Sequence, residues 1–147
     1  MLKKIYISFL LTFTAFTLSA QMSNLVKAVT AIKQDSLSVA YAYLDTASTH
    51  AETKDKLELW YYKGVVLKNL YNKLEKSDPQ SSLRLESIDC FNTFFDLDTA
   101  NSKFQESAIK NVNFLASTIY NDAVNNLNED SYEISIENYK TYKEVIK

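Results

Sequence analysis

Glycine, proline, cysteine and histidine occur once each in this sequence, as Gly64, Pro79, Cys90 and His50. One glycine cannot build a GxxxxGK phosphate loop or a GxGxxG dinucleotide turn, since both need several positions without a Cβ. One glycine and one proline cannot punctuate the turns of a β-sandwich or barrel. One cysteine forms no internal disulfide and no Cys-rich zinc site, and one histidine builds no His-rich metal site. Arginine is also scarce: Arg84 is alone, and the lysines alternate with acids. That pattern offers no basic patch for nucleic acid. What remains is an all-α chain of 147 residues, the size of one domain or a short repeat array.

The long apolar run is confined to the start. Lys3 and Lys4 precede an apolar stretch from Ile5 to Leu18, and Ser19-Ala20-Gln21 ends it with small residues. These are the charged, apolar and cleavage regions of a secretory signal peptide over residues 1–20, cut after Ala20. At ~1.5 Å per residue the run spans roughly 21 Å, less than the ~30 Å hydrocarbon core of a bilayer. The chain from Gln21 to Lys147 keeps 14 basic and 18 acidic residues and a net charge of −4. It holds no second long apolar run, so no membrane span is expected after cleavage. No cysteine stands at its start to carry a lipid.

Apolar residues recur at helical spacing through the rest. Leu25, Val26, Val29 and Ile32 mark a helix over 22–34, and Asp35-Ser36 breaks it and offers a cap. Ala40, Leu44 and Ala47 share one face of a helix over 37–47. After a polar loop, Thr53 is expected to cap a helix over 54–75 with Leu57, Trp60, Tyr61, Leu67, Leu70 and Leu74 inside. Asp78 and Pro79 suit the N-cap and first position of a helix running to about Leu97, with Leu83, Ile88, Phe91, Phe94 and Phe95 inward. Ser102 opens a helix to about Leu127, carrying Phe104, Ile109, Val112, Leu115, Ile119 and Val124. Asp130 with Glu133 forms a capping box for a last helix carrying Tyr132, Ile136, Tyr139, Tyr142 and Ile146. Six helices joined by short polar turns fit either a closed bundle or stacked hairpins.

Internal repetition favours stacking. Trp60-Tyr61-Tyr62-Lys63-Gly64-Val65-Val66-Leu67 resembles the first helix of a tetratricopeptide repeat (TPR), W-x2-L-G-x2-Y, with Trp60 and Gly64 in place. Lys63 stands where the pattern has Leu, and Leu67 where it has Tyr. Ser87 and Phe91 resemble the A-x3-F of the second helix, with Phe94 at the next small-residue position and Thr99 at that of the closing Pro. Ala28 and Ala40, and again Ala123 and Ser135, have the spacing of the two small positions of that repeat. The middle repeat departs by an insertion around Asn72 to Ser82, and the helix before Ala123 is also long. The resemblance implies antiparallel hairpins over about 22–48, 54–98 and 102–147, stacked as a short TPR-like right-handed solenoid. It also implies that the first helices line a concave groove for a protein or peptide partner. Carried onto this sequence, the groove candidates are Tyr61, Tyr62, Val65, Lys68, Asn69, Tyr120, Asn121, Val124 and Asn128. Tyrosine and asparagine suit such a groove: large contact area at low rotamer entropy, with adaptable hydrogen bonds. The basic carboxylate clamp of chaperone-binding members would need more cations than Lys68.

The apolar last helix lacks the polar cover that a terminal repeat needs. Either it shields itself, or the chain is the N-terminal part of a longer array, which is the reading preferred from the sequence. Catalytic chemistry finds no foothold. His50 lies in a polar loop without a second ligand, and Cys90 sits beside Phe91 as a buried thiol. The acids Glu52, Asp55 and Glu58, and Glu129, Asp130 and Glu133, lie at helix starts, where the dipole favours them. No Gly-containing Asp/Asn alternation builds a calcium loop. The expectation is a non-enzymatic exported scaffold with no cofactor and no bound metal. Its location would be the periplasm or outer envelope, and its composition resembles that of exported proteins of the Bacteroidota. The alternative reading is a helical ligand- or glycan-binding accessory protein of the envelope. Oligomeric state is open.

Overall fold

Helical periodicity in a chain almost without turn formers yields helices throughout the computed structural model, which describes residues 24–128 and 131–146. Among these there are six helices and no strand. They are α1 (24–33), α2 (Leu37–Ser48), α3 (Leu57–Leu70), α4 (Ser82–Leu97), α5 (Gln105–Asn128) and α6 (Tyr132–Val145). A π turn over Tyr71–Glu75 prolongs α3. The signal peptide with its cut after Ala20, Met22 at the expected start of α1, and the Asp130 cap lie outside the described residues.

With one glycine available, the left-handed backbone positions fall to Asp35 (φ 54°) and Asn101 (φ 53°), residue types that tolerate them. Asp35 ends α1 in a Schellman turn. Ser36 N–H donates to Ala31 O at 2.9 Å and Asp35 N–H to Ile32 O at 3.1 Å. Ser36 then precedes α2 without a side-chain cap bond. Asp98 folds the α4–α5 turn: its buried carboxylate accepts from Ser102 N–H at 2.8 Å and Ser102 Oγ at 2.9 Å.

Several expected caps move. Thr53 does not cap α3; it is buried and donates to Ala47 O, closing the turn from α2, and α3 begins at Leu57. Asp78 caps a local turn instead of a helix, accepting from Gln80 N–H at 2.8 Å. Pro79 therefore lies before α4, whose N-cap is Ser81, accepting from Arg84 N–H at 3.2 Å. A hydroxyl three residues before an available N–H competes successfully with the Asp-Pro signal because Glu75 also holds it, accepting from Ser81 Oγ at 2.7 Å.

Two clusters make the core. One joins α1, α2 and α3 through Ala28, Ala31, Ala40, Leu44, Leu59 and Val66. The other joins α3, α4 and α5 through Phe91, Phe94, Ala108, Leu115 and Ile119, with Tyr142 and Val145 of α6 against it. Trp60 and Leu83 touch both. The small positions govern helix approach. Ser87 Oγ donates to Gly64 O at 2.8 Å between α3 and α4, and Ser135 Oγ donates to Ala123 O at 2.7 Å between α5 and α6. A Cβ on Gly64 would stand 2.9 Å from Phe91 Cζ, so any larger residue there must displace the ring.

Some expected core residues face outward. Val26 is 64% exposed, because Ala28 and Ala31 take the inner face of α1. Leu74 is exposed, since the π turn shifts the register and Tyr71 takes the inward position. On α5, Ile109 and Val124 yield to Ala108, Ala116 and Ala123, whose small size lets neighbours approach. Helix α6 is nearly inverted: Ser135 and Asn138 are buried, while Tyr132, Ile136, Tyr139 and Ile146 are each more than half exposed.

Candidate functional site

The first helices of two hairpins form a groove. Leu25, Val26 and Val29 of α1 supply its apolar wall, Tyr62 and Glu58 of α3 the opposite one, and Lys33 and Lys56 its charges; it encloses about 450 Å³. Tyr62 is held edge-on by Tyr61 (5.3 Å between centroids) and Phe104 (5.8 Å). Burial raises its phenol pKa, helped by Tyr61 and Glu58. The hydroxyl therefore stays neutral, able to donate as well as accept a hydrogen bond.

The other groove candidates separate. Tyr61 lies in the second core cluster, stacked 4.5 Å from Phe104 and hydrogen-bonded through its hydroxyl to Ser107 Oγ at 2.9 Å. Val65 packs on the same cluster. Lys68 reaches α5, donating to Asn111 Oδ1 at 3.0 Å with its ammonium 5.9 Å from the Phe114 ring centre. Burial lowers its pKa. Asn69 is half-buried on α3, and Asn121 and Asn128 are exposed on α5. Tyr120 and Val124 line a second cleft, between α5 and α6, with Leu127, Ile136, Tyr139 and Lys143; it also encloses about 450 Å³. Tyr62 thus belongs to one groove and the Tyr120–Val124 pair to another, with Tyr61 and Lys68 bound into the α3–α5 packing between them.

Two buried cations carry the electrostatics. Lys63 is 6% exposed, and its Nζ lies 2.9 Å from Asp45 Oδ1 and 3.2 Å from Glu86 Oε1, joining α2, α3 and α4. Burial pulls its pKa down, but the hydrogen bonds to Asp45 and Glu86 outweigh that, and the net direction is up. Arg84 is 1% exposed. It pairs with Asp122, donates to Pro79 O at 2.6 Å, and lies 5.4 Å from the Tyr71 ring centre. The guanidinium thereby fastens the 71–81 segment and α4 to α5. The sequence signal for Lys63 was its standing at a Leu position of the repeat pattern. Arg84 carried none beyond being alone.

Chemistry needs more than these pairs. Cys90 is buried, and burial first of all pushes its thiol up to about 12, with Lys63 opposing. A thiol held that high is no nucleophile at neutral pH. His50 lies in the turn after α2, where its carbonyl accepts from Lys54 N–H at 3.0 Å. Among the described residues, no group of three His, Cys, Asp or Glu is placed to hold a metal, and no helix is long and apolar enough to cross a membrane. No protein-family model, curated protein or solved structure matches the chain.

Proposed function

We propose that the chain is a non-enzymatic, exported helical-repeat scaffold that binds a protein or peptide partner on the face built by the first helices of its hairpins. In this reading α1/α2, α3/α4 and α5/α6 are TPR-like hairpins stacked as a short right-handed solenoid. The signal-peptide pattern of residues 1–20 supports export to the periplasm or outer envelope. The two serine-to-carbonyl contacts, at the paired small positions of the repeat pattern, support the hairpin reading.

The observation that carries the binding role is the α1–α3 groove, an apolar trough with Tyr62 as its aromatic wall and charges of both signs around it. Such a trough captures a side chain or short segment by burial and orients it by hydrogen bonds, with no turnover. The test is affinity capture of the native chain and of Val26→Glu. Val26 is 64% exposed, so the substitution puts charge into the groove without disturbing the core. We expect one or two defined envelope proteins with the native chain and their loss with the variant, melting temperatures being equal. Equal recovery by both removes the groove from the account. Recovery of sugar or small molecules in place of protein turns the assignment to a ligand-binding accessory.

A further inference from the structure

Helix α6 wears its apolar residues outside. Tyr132, Ile136, Tyr139 and Ile146 are 55%, 55%, 51% and 55% exposed, while Ser135 and Asn138 of the same helix are buried. With Lys143 they recur at spacings of four, three, four and three, the seam of a coiled coil and not the stripe of a surface helix. The seam is continuous with the α5–α6 cleft through Ile136, Tyr139 and Lys143. A contiguous apolar face of this kind marks an interaction site.

The charges beside it indicate what covers it. Glu133 and Lys140 occupy the same flanking row, one heptad apart, the acid in the first half of the helix and the base in the second. An antiparallel copy of α6, related by a two-fold axis through the middle of the seam, sets Glu133 opposite Lys140 of the second copy, twice. It also sets Ile136 against Tyr139, and Lys143 over the ring of Tyr132, a cation–π pair. Such an interface is isologous and self-complementary. A parallel copy would set Lys143 against Lys143 in the seam. Glu137 and Glu144 lie one row further out, where solvent screens them.

We infer that the chain forms an antiparallel homodimer through α6, the second copy lying along the Tyr132–Ile146 seam and closing the α5–α6 cleft. This interface is separate from the α1–α3 groove, so each dimer presents two grooves.

The test is sedimentation equilibrium of the full chain, as processed in cells, over nanomolar to high micromolar concentration. It compares the native chain with Glu133→Lys, Lys140→Glu, the double exchange, and Ile136→Asp. All three positions are exposed, and thermal melts check that each variant folds. We expect a monomer–dimer equilibrium, a dissociation constant raised about tenfold or more by either single charge change, and near-native association in the double exchange. Ile136→Asp abolishes the dimer. A monomer at all concentrations overturns the proposal and assigns the seam to a different occupant, another protein's helix or further helices stacked on α6. A dimer indifferent to the charge exchanges overturns it equally, since its interface lies elsewhere.

Discussion

Hairpins α3/α4 and α5/α6 are closed by the same device and end in different circumstances. In each, a serine of the second helix donates to a carbonyl of the first at a paired small position, Ser87 to Gly64 and Ser135 to Ala123. Around α3/α4 both flanks are covered, although Leu85 stays 40% exposed and Tyr62 lines a groove. Phe91 fills the space over Gly64, α2 lies on one side, and α5 lies on the other. Lys63 and Arg84, both buried, tie the hairpin to those neighbours. Around α5/α6 only the inner side is covered, and Ile136 and Tyr139 face out. The small-residue device decides how two helices approach. What lies on their outer faces decides whether the hairpin is core or interface.

This contrast is open to direct attack. The largest effect is expected from Phe91→Ala, which empties the space over Gly64 and should cost about 3–5 kcal/mol in urea unfolding. Arg84→Ala leaves Asp122 facing a vacated site beneath α4. It should cost about 3 kcal/mol, and unequal loss of α4 and α5 protection in hydrogen exchange would show that this tie holds the two together. Gly64→Ala brings a Cβ to 2.9 Å from the Phe91 ring. The strain, about 1–3 kcal/mol, exceeds the roughly 1 kcal/mol that alanine gains in a helix, so a net loss of about 1 kcal/mol is expected; a stabilised variant contradicts the close approach. On the outer hairpin, Ile136→Ala should change the stability of the monomer by less than about 0.5 kcal/mol. A loss comparable to that of Phe91→Ala would erase the distinction.

Alkaline titration sharpens the same comparison, because its sensitive groups sit around α3/α4. Burial raises the Cys90 thiol from 9.0 to about 12 and raises the Tyr41 phenol. Lys63 is raised on balance by its two carboxylates. Each group releases its proton more readily in the unfolded chain, so the stability they contribute is present below pH 9 and lost as pH climbs through their folded values. Lys68 has the opposite sign, lowered by burial, and its cost at neutral pH is relieved upward. Burial raises the Tyr62 phenol as well. The four raised groups outnumber Lys68, and the urea midpoint should fall steadily from pH 9 to 11. Cys90 should also resist alkylation at pH 8 until urea unfolds the chain. Rapid native labelling would show that the middle hairpin is open.

Much of this was legible in the residues. Gly64 with Ser87, and Ala123 with Ser135, make the contacts that their spacing predicts. Ser102 does not open α5, which begins at Gln105; its hydroxyl donates to Asp98 in the turn before it. The helices fall close to the expected spans because apolar periodicity and polar turns agree along the chain. What was not legible depended on competition between neighbours. Ser81 displaced Asp78 as a cap because Glu75 held its hydroxyl. Val26 and Ile136 carry the hydrophobicity of core residues, yet alanine and serine took their inner places, since small side chains permit the closer helix approach. Periodicity ranks residues by hydropathy and misses this preference for size. Tyr62 lines the α1–α3 groove with Leu25, Val26 and Val29, α1 residues that the pattern assigned to the core. Tyr61, Val65 and Lys68 share one face of α3 by spacing, with Tyr62 beside it, and α5 packs over that face, a long-range contact that local pattern does not encode.

The most direct test of the central claim is in-cell photo-crosslinking from single positions. A probe at Val26, on the lip of the α1–α3 groove, is compared with one at Leu85, 40% exposed on the covered α3/α4 hairpin. The account predicts a discrete adduct with one or two envelope proteins from position 26 and none from position 85. Absence of any adduct at 26, or the same adducts from both positions, contradicts a partner-binding groove on the first-helix face.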